Sequence, residues 1–118
     1  DELLGQGVSV ILDGTFLKRA WLESAAELAH RREADLAILV CQCPAHIAAE
    51  RVAERRAAGE RLSEISTDLL EQQRRDRETP RHCPEMLAID TTQPLPELLR
   101  ASFTHLRALN PPTERACC

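Results

Sequence analysis

The chain has no Gly-x-x-x-x-Gly-Lys-Ser/Thr loop, no Cys-x-x-Cys pair, no apolar run near twenty residues and a single lysine. Each absence excludes something. Without the glycine-rich loop, no single motif offers the ring of backbone N–H groups that cradles a nucleotide phosphate. Without a run near the ~20 apolar residues that cross a bilayer, a membrane-spanning helix is not expected. No secretory signal is visible. The five cysteines (Cys41, Cys43, Cys83, Cys117 and Cys118) are odd in number and lack paired spacing, so no disulfide framework is expected and a reducing cytoplasm is the expected compartment. There is no internal repeat and no low-complexity segment.

What is present is a chain of 118 residues, enough for one domain but short for a complete doubly wound nucleotide-binding fold. A hydrophobic content of 43% with 29% charged residues reads as globular. The net charge of −4 gives no general attraction to nucleic acid. The chain begins at Asp1 rather than Met, as expected of a fragment.

Three continuous apolar runs read as strands: Val8 to Leu12, Leu36 to Cys41, and Met86 to Ile89. Continuous rather than alternating patterns suit strands covered on both faces of a parallel sheet. Helical stretches separate them. Leu17, Trp21, Ala25 and Leu28 form an expected core stripe, with Thr15 as N-cap. Pro44 opens a helix that stops near Gly59. A further helix covers Ser66 to Glu78, with Leu69 and Leu70 inward. Pro96 opens the last, with Leu99, Phe103 and Leu106 on one face, and Asn110-Pro111-Pro112 ends it. Residues 110–118 read as a disordered tail. The alternation predicts an α/β fold with a parallel sheet and right-handed crossovers. The double helix in the middle break is a reasonable place for a mobile flap.

Asp13-Gly14-Thr15 closes the first apolar run, and Asp90-Thr91-Thr92 closes the third. Strand ends at that edge of a parallel sheet converge on a ligand crevice. Asp13 has two readings, placement of a magnesium ion through water or a cap on the following turn. Thr15 caps the helix or touches a ligand. Arg51 and Arg55 are spaced i, i+4 and share a helix face. Fourteen of the fifteen basic residues are arginine, a bias toward forked recognition of phosphate or carboxylate. Against that, residues 51–81 hold eight arginines beside seven acids, a composition that also suits solvated helix faces with weak ion pairs. Cys41 and Cys43, with His82 and Cys83, read either as a metal site or as small buried hydrophobes; the second fits better because zinc spacing is lacking. His30, His46 and His105 read as surface residues.

Taken in order, Gly7-Val-Ser-Val-Ile-Leu-Asp-Gly-Thr-Phe-Leu17, Cys43-Pro44, Arg51-x-x-x-Arg55, Ser63-Glu64, Gln73 and Asp90-Thr-Thr-Gln-Pro-Leu95 resemble the P-loop kinase-like ATPases related to gluconate kinase and the zeta-toxin kinases. The likeness is strongest to the ATP-binding domain often fused to an aminoglycoside-phosphotransferase-like domain, and it runs from about Leu3 to Leu106. It implies a three-layer P-loop NTPase-like fold, incomplete here, with the third, fourth and fifth strands present and the first two absent. The strand order it implies puts the absent first strand between Val8–Leu12 and Leu36–Cys41.

The same resemblance implies phosphoryl transfer from ATP with Mg2+ to an unknown small-molecule acceptor. Asp13 then matches the metal-placing strand end, and Arg51 and Arg55 match catalytic arginines entering a lid at about 51–81. Arg55, Asp90, Thr91, Thr92 and Pro94 match the nucleotide-facing residues. Relatives often carry Arg where this chain has Leu22, which leaves Thr15, Lys18 and Arg19 for the acceptor. The missing segment would also hold the carboxylate that activates the acceptor hydroxyl, so residues 1–118 are expected to be inactive alone and completed by an upstream or fused domain. The competing expectations are a regulatory nucleotide-binding module of a fused protein and a non-enzymatic arginine-rich helical interaction module.

Overall fold

The computed structural model describes residues 1–59, 67–78 and 83–110. The elements in chain order are α1 (Glu2–Gly5), α2 (Arg19–Arg31), β1 (Ile38–Gln42), α3 (Ala45–Ala57), α4 (Thr67–Asp76), β2 (Met86–Asp90) and α5 (Leu95–Leu109). Among the described residues the protein is a mixed α/β structure around a two-stranded sheet. β1 and β2 are parallel and in full register, from Ile38 opposite Met86 to Gln42 opposite Asp90. The third apolar run becomes β2, the second becomes β1 with a start two residues later and an end one residue later, and α3 and α4 lie in the crossover between them.

The helix boundaries follow local chemistry. Pro44 is the N-cap of α3, and the helix stops where Gly59 takes φ +72, a left-handed turn that glycine adopts without Cβ strain. Pro94 caps α5, with a second proline inside its first turn where no N–H is needed, and Asn110 ends it. α2 ends in a Schellman arrangement: Glu33 N–H donates to His30 and Ala34 N–H to Ala29, with Glu33 at φ +51 in the place glycine usually takes.

Val8–Leu12 departs from the expected strand. It is irregular and pairs with no strand among the described residues, and Ile11 is 93% exposed. A strand is stabilised by its neighbour's ladder bonds, and none is beside this run. Among the described residues the buried hydrophobic side chains are Ala29 on α2, Val40 on β1 and Ile89 on β2.

Three side-chain expectations also change. The N-cap of α2 is Lys18, not Thr15, so Leu17 precedes the helix, and Trp21 stands half out in solvent instead of in a core stripe. Leu69 is exposed while Leu70 is half-buried. On α5, Leu95, Leu99 and Phe103 point outward, and Leu98, Ser102, His105, Leu106 and Leu109 form the half-buried face. His105 sets that rotation and is not a surface residue. Its Nε2–H donates to the Glu85 carbonyl at 2.9 Å, the carbonyl being able only to accept. Ser102 tolerates the inner face by donating to Leu98 O at 2.8 Å. The expectations placed on Arg61, Ser63-Glu64, Ser66, Arg81, His82 and residues 111–118 lie outside the described residues.

Candidate functional site

Parallel pairing brings the carboxyl ends of both strands to one edge, and Gln42 and Asp90 are the last register pair there. The chain leaves β2 through a turn built by Asp90. One carboxylate oxygen accepts from the Thr92 N–H at 3.0 Å and the Thr92 hydroxyl at 2.7 Å, and the other accepts from Gln93 Nε2 at 3.2 Å. The Thr92 backbone donor, followed by the Thr92 hydroxyl and Gln93, holds the Asp90 carboxyl below the usual range. With those acceptor positions used, Asp90 shapes the loop. Thr91 then closes back onto β1: its N–H and its hydroxyl both donate to the Gln42 carbonyl, at 2.8 and 3.1 Å.

α3 docks on this loop through Arg51. One guanidinium nitrogen donates to the Thr91 hydroxyl at 3.0 Å and another to the Thr91 carbonyl at 2.7 Å. Arg51 is half-buried; Arg55, one turn later, is exposed and forms no hydrogen bond or ion pair with a described residue. Arg74 of α4 donates to the Cys43 carbonyl at 3.1 Å, just past the end of β1. Two arginines of the insertion therefore bind backbone carbonyls at the strand edge. The spacing of Arg51 and Arg55 was legible in the sequence, but the tie made by Arg74 carries no local signal.

Asp13, Thr15 and Trp21 form a second group. They line a shallow open depression with Ile11, Leu12, Gly14 and Phe16. Asp13 is exposed and makes no hydrogen bond or ion pair with a described residue. Phe16 has φ +41, a conformation costly for a residue with a Cβ, directly after Asp13-Gly14-Thr15.

Lys18 and Arg19 meet Glu78, which sequence reasoning missed. Arg19 N–H, at the open start of α2, donates to the Glu78 carboxylate at 2.9 Å, and Lys18 Nζ lies 3.3 Å from its other oxygen. Glu78 N–H returns a bond to Leu17 O at 2.9 Å. The Arg19 backbone donor first, and Lys18 second, hold the Glu78 carboxyl below its ordinary value. The only sequence signal was an acid placed 59 residues from a helix start that lacks its own side-chain cap.

Among the described residues, no three His, Cys, Asp or Glu side chains gather into a metal cluster. Cys41, Cys43 and Cys83 are free thiols, and burial pushes the Cys83 thiol up, away from the thiolate that binds metal. No described helix is long and apolar enough to cross a membrane. Among the described residues, the groups of a kind that a nucleotide uses are the exposed Asp13 carboxylate, the exposed Arg55 and the hydrogen-bonded turn at Asp90–Gln93. They include no phosphate-cradling loop.

No curated protein and no solved structure matches the chain. A family model described as an AAA domain matches residues 1–80. That span takes in the Asp13 depression, β1, α3 with Arg51 and Arg55, and α4. The chain belongs to the AAA-domain family, a nucleotide-binding class of P-loop NTPase-like domains.

Proposed function

We propose that this chain is the lid-bearing and strand-end part of an ATP-dependent phosphotransferase or ATPase. The observation that carries the reading is the α3 helix, fixed by Arg51 over the joined ends of β1 and β2, with Arg55 left unengaged one turn further on. Ligand crevices of parallel α/β sheets lie at that edge. The family match supports the nucleotide.

In this reading Asp90, Thr91, Thr92 and Pro94 form the loop beside the base. Arg55 meets the phosphates, and Asp13 places Mg2+ through water. A bound metal–nucleotide supplies the phosphoryl group and the charge neutralisation its transfer requires. The chain's own part is to hold positive charge at Arg55 and to keep the loop rigid. The Asp13, Thr15 and Trp21 depression receives a small-molecule acceptor, and Lys18 and Arg19 border it in sequence. In this reading the β- and γ-phosphate contacts are made by a phosphate loop that residues 1–118 do not contain.

Two measurements test the reading. Isothermal titration of residues 1–118 with Mg-ATP should give a dissociation constant weaker than the low micromolar range, because the missing loop makes most phosphate contacts. When the chain is joined to a phosphate loop, Arg55→Ala should lower turnover well below that of Arg56→Ala, which is rotated about 100° around α3. Loss of a charge on the transferring phosphoryl costs several kcal/mol of transition-state stabilisation, and loss of a solvated arginine costs almost none. Equal rates for the two variants would refute the assignment of Arg55.

A further inference from the structure

The two arginines spaced one turn apart on α3 do not stand in the same state. Arg51 is half-buried and has both arms of its fork on Thr91, one on the side-chain oxygen and one on the backbone carbonyl. Thr91 is itself bonded twice to Gln42 O at the end of β1. The next residue, Thr92, is fixed by Asp90. These bonds form an unbroken polar path from the second turn of α3 through the loop after β2 to the end of β1. A planar fork on two fixed oxygens sets both distance and angle, which a point charge cannot do.

We propose that Arg51 is a positioning residue, not a phosphate ligand. It couples the Asp90–Gln93 loop to α3, so that the loop and the helix carrying Arg55 move as one unit. The inference rests on the nucleotide reading above and deepens it. Seating a base against the loop orients α3, and Arg55 is thereby aimed at the phosphates. Breaking the tie loosens the loop first and affects the phosphate end only through it.

The test uses residues 1–118 as wild type, Arg51→Ala, Arg51→Lys and Arg55→Ala, with adenosine and Mg-ATP as separate probes. NMR titration to millimolar concentration reads weak affinity, and amide exchange at Thr92 and Gln93 reads the loop. In Arg51→Ala both probes should weaken by a common factor, and exchange at the two amides should rise about tenfold, as for loss of a charged hydrogen bond. Arg51→Lys should not restore either. Arg55→Ala should weaken Mg-ATP while sparing adenosine and the exchange rates.

A loss confined to Mg-ATP in Arg51→Ala, with recovery in Arg51→Lys, would make Arg51 a phosphate ligand and overturn the proposal. Unchanged exchange at Thr92 and Gln93 would overturn it too. If the wild type binds neither probe, residues 1–118 hold no nucleotide without a phosphate loop, and the nucleotide reading is decided instead by the turnover of Arg55→Ala against Arg56→Ala in the chain joined to such a loop. The exchange rates then decide the coupling of loop and helix: acceleration supports it and no change refutes it.

Discussion

The β1–β2–α3–α5 region and the segment from Val8 to Trp21 have similar apolar content and opposite fates. In the first, the apolar runs pair, Val40 and Ile89 are buried, and arginines close the strand edge. In the second, an equally apolar run pairs with no strand among the described residues, and Val8, Val10, Ile11, Leu12 and Trp21 are all exposed. The difference lies in partners, not composition. Backbone N–H and C=O groups leave water cheaply only when another strand receives them. An isolated pair of strands is itself near the lower limit of independent stability, so the paired region depends on α5 for cover.

The largest test compares one residue type in the two regions. Ile89→Ala should cost about 3 kcal/mol, a typical buried Ile truncation, while Ile11→Ala should stay within about 0.5 kcal/mol as an exposed change. Urea denaturation reads both, and Ile89→Val, at about 1 kcal/mol, covers the case in which the alanine variant does not fold. Equal effects would end the contrast.

The next test asks what the exposed run does in solution. An apolar, unpaired extended segment invites pairing with another chain. Sedimentation velocity should show concentration-dependent oligomers, and Ile11→Lys should shift them toward monomer. A monodisperse monomer with a sharp thermal transition above about 60 °C, high in the mesophile range, would break this account.

Smaller effects come from the two helix ends. α2 and α3 both finish on a left-handed residue, Glu33 at φ +51 and Gly59 at φ +72. Glu33→Gly should stabilise by up to about 1 kcal/mol, and Gly59→Ala should destabilise by about the same amount. Thermal melts read both shifts, and a change of the same sign in the two would contradict the backbone argument.

The smallest effect is acid sensitivity. Asp90 and Glu78 both have carboxyl pKa values lowered by donors in the folded state. Their contribution is present above the unfolded carboxylate value and is lost as pH falls through the lower folded value. Stability should therefore decline as pH falls below about 5, where unfolded carboxylates begin to take up protons that the folded ones resist. Asp90→Asn should flatten part of that decline, and a slope unchanged in both Asp90→Asn and Glu78→Gln would refute the link.

Much of the fold was legible because its signals are local. Pro44 and Gly59 bracket α3, Asn110 ends α5, whose start lies at Leu95, one residue before the Pro96 expected to open it, and two of the three apolar runs are strands. The Val8–Leu12 run misleads because strand formation is a property of two segments and the pattern describes one. Trp21, Leu99 and Phe103 mislead for a related reason: helical spacing says which residues share a face, not what that face meets. At the site, the Asp90-Thr91-Thr92 turn and the Arg51 and Arg55 pair could be read from spacing. The Thr91 carbonyl as partner of Arg51, forty residues away, could not, because every residue carries a carbonyl and only the fold selects one.

The carboxylate of Glu78 at the start of α2 has a kinetic consequence. α2 carries no side-chain cap of its own, and the group that satisfies its first turn arrives only after β1, α3 and α4 have been traversed. Contacts of such long sequence separation close late, after shorter loops have formed. The first turn of α2 should therefore remain frayed through most of folding and become protected in the final step. Its amides would then serve as a natural clock for completed assembly, reporting a tertiary event from a position that looks purely local.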